Sequence, residues 1–332
     1  MHSTIDLSAQ GAHYGHLAIP YSHNLGGWAN LLVPVASLKN GPGPVVLCMA
    51  GNHGDEYPGQ IAIMHLWRQL KLADVKGQLI LIPCLNPPAA LNMTRLSPLD
   101  GKNFNRCFPG NPTGAVSEIL AHYLSTELFP RAEVVIDLHT GGRSLTFVPT
   151  AHMHLVPAGP QRAAMLAATE AFLTGTAFLY ADIAGTGLLP VEAERQGKIV
   201  VTTEMGGGEI VPASVHQLCQ RGLRNVLTHL GVLNGEPMRR KAPARWVQSL
   251  DKADYRFAPE SGLYETCIDL GGEVRAGDLL GRIHFIERPD RDPVEITAHS
   301  SGMIIAGRGP SIVKQGDCVA VIAHDTDPRT LP

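Results

Sequence analysis

The sequence predicts an α/β protein: a mostly parallel mixed sheet flanked by helices, followed by a small β-barrel or sandwich domain. Two observations predict it. Between about residues 44 and 232, apolar strand-like runs alternate with helix-like segments, the pattern of an α/β layer. Beyond about residue 235, short apolar pieces are separated by glycine turns with little helical periodicity. A length of 332 residues suits two domains of ordinary size, placed at 1–234 and 235–332.

The elements follow in order. Pro44 to Ala50 is apolar nearly throughout and bounded by Gly-Pro, which reads as a buried strand. Ile61 to Leu72 has helical spacing, and Pro58 fits its first turn. Gln78 to Pro83 is a second strand, Val116 to Phe129 an amphipathic helix, and Glu133 to Leu138 a third strand. An alanine-rich helix over Gln161 to Leu173 precedes a strand at Lys198 to Thr203 and a helix over Val211 to Leu233. Gly235 to Arg245 is basic, carries Pro237 and Pro243, and reads as a linker. The last region echoes itself. Ser261-Gly262-Leu263 returns as Ser301-Gly302-Met303, and Val274 to Asp278 returns as Val313 to Asp317. Two related β half-units explain this repeat. The echo resembles biotinyl and lipoyl carrier domains, but the connector Phe285 to Glu295 lacks the lysine those modify, so the resemblance is one of shape.

Composition narrows the function. Lys plus Arg number 27 against 30 Asp plus Glu, a formal charge of −3, which favours neither nucleic acid nor an anionic membrane. No signal peptide or bilayer-spanning run is evident. The six cysteines are scattered without a C-x-x-C pair, as expected for reduced, buried thiols in a cytoplasmic protein.

The strongest local signal is Gly51-Asn52-His53-Gly54-Asp55-Glu56, between the first strand and its helix. A His and a Glu three residues apart can converge on one metal, and imidazole with carboxylate suits Zn²⁺. Asp137-Leu138-His139 ends the third strand with a second imidazole. Asp137, two residues earlier, points to the same face and can hold its other nitrogen. His53, Glu56 and His139 are therefore expected to hold one zinc per chain, with a fourth position left for water. Hydrolysis also needs a proton carrier. Glu204, closing the Lys198–Thr203 strand, is the favoured carboxylate, with Glu192, Glu194 and Glu209 as rivals. Arg95 can stabilise an oxyanion, and Arg106 with Asn105 can grip a substrate carboxylate. His152 and His154 form an H-x-H without a third partner nearby in sequence and read as a loop or strand feature.

Together, Gly51 to Glu56, Asn86-Pro87, Thr94-Arg95, Asn105-Arg106, Asp137-Leu138-His139 and Glu204 resemble the succinylglutamate desuccinylase/aspartoacylase family, relatives of the zinc carboxypeptidases, in order and rough spacing. The resemblance implies a carboxypeptidase-like sheet, His53, Glu56 and His139 as zinc ligands, and Glu204 as general base and acid. It further implies Arg95 at the scissile carbonyl, Asn105 and Arg106 on the substrate carboxylate, and a C-terminal β domain capping the site. The implied reaction is hydrolysis of a small N-acyl amino acid. The Gly51 to Tyr57 stretch is most similar to bacterial deacetylases acting on N-acetyl-2,4-diaminobutyrate. The chain departs from the aspartoacylase pattern after Arg106, at Cys107-Phe108-Pro109-Gly110, and a second substrate-binding arginine has two candidates, Arg143 and Arg195. A zinc carboxypeptidase acting on peptides is the alternative, and a non-catalytic binding protein the third reading. The expected partner is the small substrate, and the oligomeric state, a homo-oligomer included, stays open.

Overall fold

The structure, a computed structural model, describes residues 1–181 and 186–331. Its backbone is one long mixed sheet with helices on both faces. Strands Gly77–Ile82, Val45–Ala50, Val134–His139 and Ile199–Glu204 lie side by side in parallel. Two antiparallel strands, Gly11–Pro20 and Asn30–Asn40, extend one edge. On the other side Thr150–His154 runs antiparallel to Ile199–Glu204, and Thr176–Tyr180 and Arg245–Ser249 then continue in parallel.

The central strands are apolar on both faces because both faces are covered. Leu47, Met49 and Val135 pack into one core with Phe104, Leu120 and Phe129. Val46, Cys48, Val134 and Ile136 face the opposite core with Ile63, Phe172 and Leu223. The helix expected over Ile61–Leu72 spans Tyr57–Gln69, with Pro58 in its first turn. A separate 3₁₀ turn, Leu72–Asp74, follows, where the Asp74 carboxylate accepts a hydrogen bond from the Lys71 N–H at 2.9 Å. The helix beginning at Val116 widens after Tyr123 into a π-helical turn, Leu124–Leu128, closed by the Phe129 N–H on the Leu124 carbonyl. The last helix is shorter than expected, Ala213–His229, starting after Pro212.

The C-terminal β region is a sandwich rather than a detached barrel. One of its layers is hydrogen-bonded into the central sheet, because Cys318–Asp325 pairs with Arg245–Ser249 on one side and Gly302–Arg308 on the other. A four-stranded sheet of Val294–Thr297, Leu279–His284, Gly262–Thr266 and Ile312–Val313 forms the second layer. The sequence echo is an internal pseudo-symmetry. Ser301 Oγ accepts from the Ala276 N–H at 3.1 Å, and Ser261 Oγ accepts from the Gln315 N–H at 3.0 Å. Each serine thus caps the turn of the other half. Gly277 and Gly316 take φ of +92° and +90° in those turns, a conformation open to glycine. All six cysteines are free, and Cys48, Cys84 and Cys219 are buried. No helix among the described residues is long and apolar enough to cross a membrane.

Candidate active site

Two strand ends bring the candidate ligands together. Val45–Ala50 leads into the His53–Glu56 loop, and Val134–His139 ends on His139. The two strands are paired neighbours, so their C-terminal loops meet, as open α/β sheets generally arrange. Gly54 permits this by close approach: a Cβ there would lie 2.1 Å from the Ala89 carbonyl carbon. Asp55 joins the loops, accepting a 2.9 Å hydrogen bond from the Arg143 N–H through Oδ2. Opposite it, Gly142 has φ +55°, and a Cβ would sit 2.6 Å from that same oxygen.

His53, Glu56 and His139 are buried, and their ligand atoms lie within 4.8 Å of one another. Glu56 sits at the centre. Its Oε1 is 2.8 Å from His53 Nδ1 and 3.1 Å from Arg95 Nη1. Its Oε2 is 2.9 Å from His139 Nδ1 and accepts from the Thr140 N–H at 3.0 Å. The far nitrogens are held as well. His139 Nε2 lies 2.7 Å from Asp137 Oδ2, and His53 Nε2 lies 3.1 Å from Asn103 Oδ1. Asn52 Nδ2 donates to the same Asp137 oxygen at 3.2 Å. Both Nδ1 atoms therefore turn inward, with their partners behind them. This buried donor set of two imidazoles and a carboxylate fits a divalent metal ion.

Charge is balanced within the cluster. Burial opposes ionisation of Glu56, but His53 and His139 hold its carboxyl well below the usual range. Burial likewise opposes a charge on His139, yet Asp137 and Glu56 raise its pKa well above that of an ordinary histidine. Burial lowers His53.

The four rival carboxylates separate on geometry. Glu192 is bonded to Arg195 at 2.8 Å and to Gln196 at 2.8 Å. Glu194 holds His154 Nδ1 at 3.0 Å. Glu209 pairs with Arg143 at 2.9 Å. Glu204 alone of the four lines the cavity. Its Cα is paired with that of His139 across the parallel ladder, and its Oε2 is buried without a hydrogen-bond partner. Burial, then the nearby Glu56 charge, pushes its carboxyl up to about 8. Arg143 and Arg195, the two candidates for a second substrate-binding arginine, are engaged by Glu209 and Glu192 and do not line the cavity.

Arg95, Asn105 and Arg106 do line it, together with His53, Glu56 and His139, in a cavity of about 360 Å³. Asn105 Oδ1 accepts from the Leu189 N–H at 2.8 Å, leaving its amide nitrogen to donate. Tyr255, Phe257 and Val321 of the C-terminal region also line the cavity. His152, Phe178 and Tyr180 line it too; spacing along the chain marks His152 only as part of the H-x-H pair, and the three converge through pairing of neighbouring strands. The H-x-H pair is part of the strand Thr150–His154.

A family model for the succinylglutamate desuccinylase/aspartoacylase catalytic domain matches residues 42–230. The chain is 37% identical over 322 residues to an N-alpha-acetyl-L-2,4-diaminobutyric acid deacetylase of Halomonas elongata, covering 97% of this chain and 94% of that protein. The product-bound structure of the ectoine utilization protein EutE (DoeB) from Ruegeria pomeroyi is similar at TM-score 0.93 and 38% identity, over 97% of this chain and 98% of that one. A succinylglutamate desuccinylase from Silicibacter sp. TM1040 is similar at TM-score 0.93 and 38% identity, over 98% of each chain. The chain belongs to the succinylglutamate desuccinylase/aspartoacylase family.

Proposed function

We propose that this protein is a zinc-dependent deacylase of small N-acyl amino acids, with N-acetyl-2,4-diaminobutyrate as its first candidate substrate. The observation that carries the reading is the convergence of His53, Glu56 and His139 beside the unpaired carboxyl of Glu204. Near full-length similarity to a diaminobutyric acid deacetylase supports the substrate. His53, Glu56 and His139 would hold one zinc. When bound, zinc lowers the pKa of water and polarises a carbonyl.

The chain's own groups supply the rest. Arg106 and the Asn105 amide bind the substrate's carboxylate by charge-assisted hydrogen bonds. Arg95 donates to the carbonyl oxygen as it gains negative charge. Glu204 accepts a proton from the attacking water as the C–O bond forms, then delivers it to the amide nitrogen as the C–N bond breaks. The products are a carboxylate and an amine. Residues 1–234 form the catalytic domain, and the chain from 235 onward forms a β cap whose Tyr255, Phe257 and Val321 line the cavity. A cavity of about 360 Å³ suits a small substrate better than a peptide.

The test is amine release from N-acetyl-2,4-diaminobutyrate, N-acetylaspartate, N-succinylglutamate and dipeptides, with zinc present. Release from an N-acyl amino acid supports the reading; cleavage of dipeptides alone overturns it in favour of a carboxypeptidase. Two variants probe the parts. Asp137→Asn, which weakens the support behind His139, is expected to lower zinc affinity about 10–100-fold, measured by competition with a chromophoric chelator. Arg106→Ala is expected to reduce kcat/KM about 10–100-fold on substrates with a free carboxylate, since such a contact contributes about 1.5–3 kcal/mol. On the corresponding methyl ester the loss is expected to be several-fold smaller, and equal losses on both remove Arg106 from that role.

A further inference from the structure

Among the described residues, five aromatic rings line the cavity: Phe147, Phe178, Tyr180, Tyr255 and Phe257. His152 stands among them. It is 5% exposed, lines the cavity, and its Nδ1 is buried without a hydrogen-bond partner. Its ring is edge-on to Tyr180, with centroids 4.7 Å apart, and to Phe178 at 6.3 Å. His154 packs on Tyr180 at 4.1 Å and is itself fixed by Glu194, so Tyr180 is held between two imidazoles. The Cα of His152 is paired with that of Thr202, two residues from Glu204 on the neighbouring strand. The ring therefore lies beside the proposed chemistry, one step further into the aromatic wall.

Nδ1 is closed off from the cavity, so a hydrogen bond to a ligand there falls to Nε2. Aromatic rings line the space His152 shares, and such rings attract a cation. Burial, reinforced by the charges of His139 and His154, holds His152 well below an ordinary histidine. Its imidazole is neutral and retains a lone pair to accept an N–H. The cations lining the cavity are Arg95 and Arg106, and the proposed function already uses both. A substrate with a second carboxylate finds no further cation among the described lining residues.

We propose that His152, with Tyr180 and Phe178, forms the subsite that selects a substrate whose side chain bears an amine. The proposal rests on the deacylase reading and assigns specificity within it: His152 accepts a hydrogen bond from the ammonium group, and the rings take its charge on their faces.

The experiment compares kcat/KM of the zinc-loaded enzyme for N-acetyl-2,4-diaminobutyrate and N-acetyl-2-aminobutyrate, which lacks only the side-chain amine. The wild type is expected to prefer the former by at least about tenfold. His152→Leu is expected to lower that preference by about tenfold, mainly through KM, and His152→Gln, which keeps an acceptor, to recover part of it. Tyr180→Leu makes the same test if His152→Leu does not fold. Equal use of the two substrates by the wild type, or a preference unchanged in His152→Leu and Tyr180→Leu, overturns the subsite while leaving the deacylase reading intact. Release from neither substrate overturns the subsite, and the deacylase reading is then decided by N-acetylaspartate and N-succinylglutamate.

Discussion

Replacing Glu204 by glutamine is expected to lower kcat by about 10²–10⁴-fold while zinc content stays at one per chain. The amide keeps the shape of the side chain but cannot accept and return a proton. Glu204 does not contribute to the buried His53–Glu56–His139 group, so the metal is expected to bind as before. A near wild-type rate would return the role to Glu192, Glu194 or Glu209, although all three already have cationic or imidazole partners.

The same variant carries a stability signature in the metal-free protein. Burial and the Glu56 charge raise the Glu204 carboxyl from its ordinary 4.5 to about 8. Between those values the folded chain holds a proton that the unfolded chain has released. Stability then falls as pH rises through this window, because the native state binds more protons than the unfolded one. Glutamine removes that slope. Metal-free Glu204→Gln is expected to match the wild type near pH 4.5 and to melt at a higher temperature than it at pH 8, by scanning calorimetry. Parallel melting temperatures across the range would show that the carboxyl titrates normally.

Much of the candidate site was legible because its candidate ligands sit at strand ends in loops marked by glycine. His53 and Glu56 follow an apolar run, and Asp137 and His139 share a face by simple alternation. Position favoured Glu204 only modestly, and the resemblance named it, but what separates it from its rivals was not legible. It depends on which glutamates find partners, and Arg195, His154 and Arg143 reach theirs only in the folded chain. The role of Asp55 in tying the two loops together was hidden for the same reason, since Arg143 is distant in sequence.

The fold divides similarly. The uniformly apolar central strands announce themselves. Gly11–Pro20 and Asn30–Asn40 do not, because one face of this edge pair is partly exposed and its composition is mixed. Thr150–His154 and Thr176–Tyr180 are short and rich in Thr, His and aromatic residues. Their place in the sheet comes from pairing with Ile199–Glu204 and Arg245–Ser249. The aromatic wall with His152 is consequently the part least visible beforehand. The C-terminal echo was legible as a repeat, but the joining of one sandwich layer to the central sheet was not, since that junction is made by Val247 and Gln248, just past the stretch that reads as a linker.

Glu56→Gln is expected to abolish zinc retention and, with it, turnover. Glu56 is the one group that faces both imidazoles, so its carboxylate sets the spacing of the ligand atoms as well as supplying one. The loss of affinity is expected to exceed the roughly 10–100-fold typical of removing a partner behind a ligand. Chelation of the wild type provides the matched control. Activity is expected to vanish with the metal and return when zinc is restored, whereas Glu56→Gln is expected to recover none. Proton competition gives the comparison a pH sign. In the metal-free chain His139 lies between two carboxylates, Asp137 and Glu56, which hold its proton well above the ordinary range. That proton must leave Nδ1 before the nitrogen can bind a cation, so zinc uptake releases protons and tightens as pH rises. Calorimetric titration of the metal-free wild type in buffers of different ionisation enthalpy measures that release. Uptake without proton release, or retention of one tightly bound zinc by Glu56→Gln, would place the metal away from this cluster.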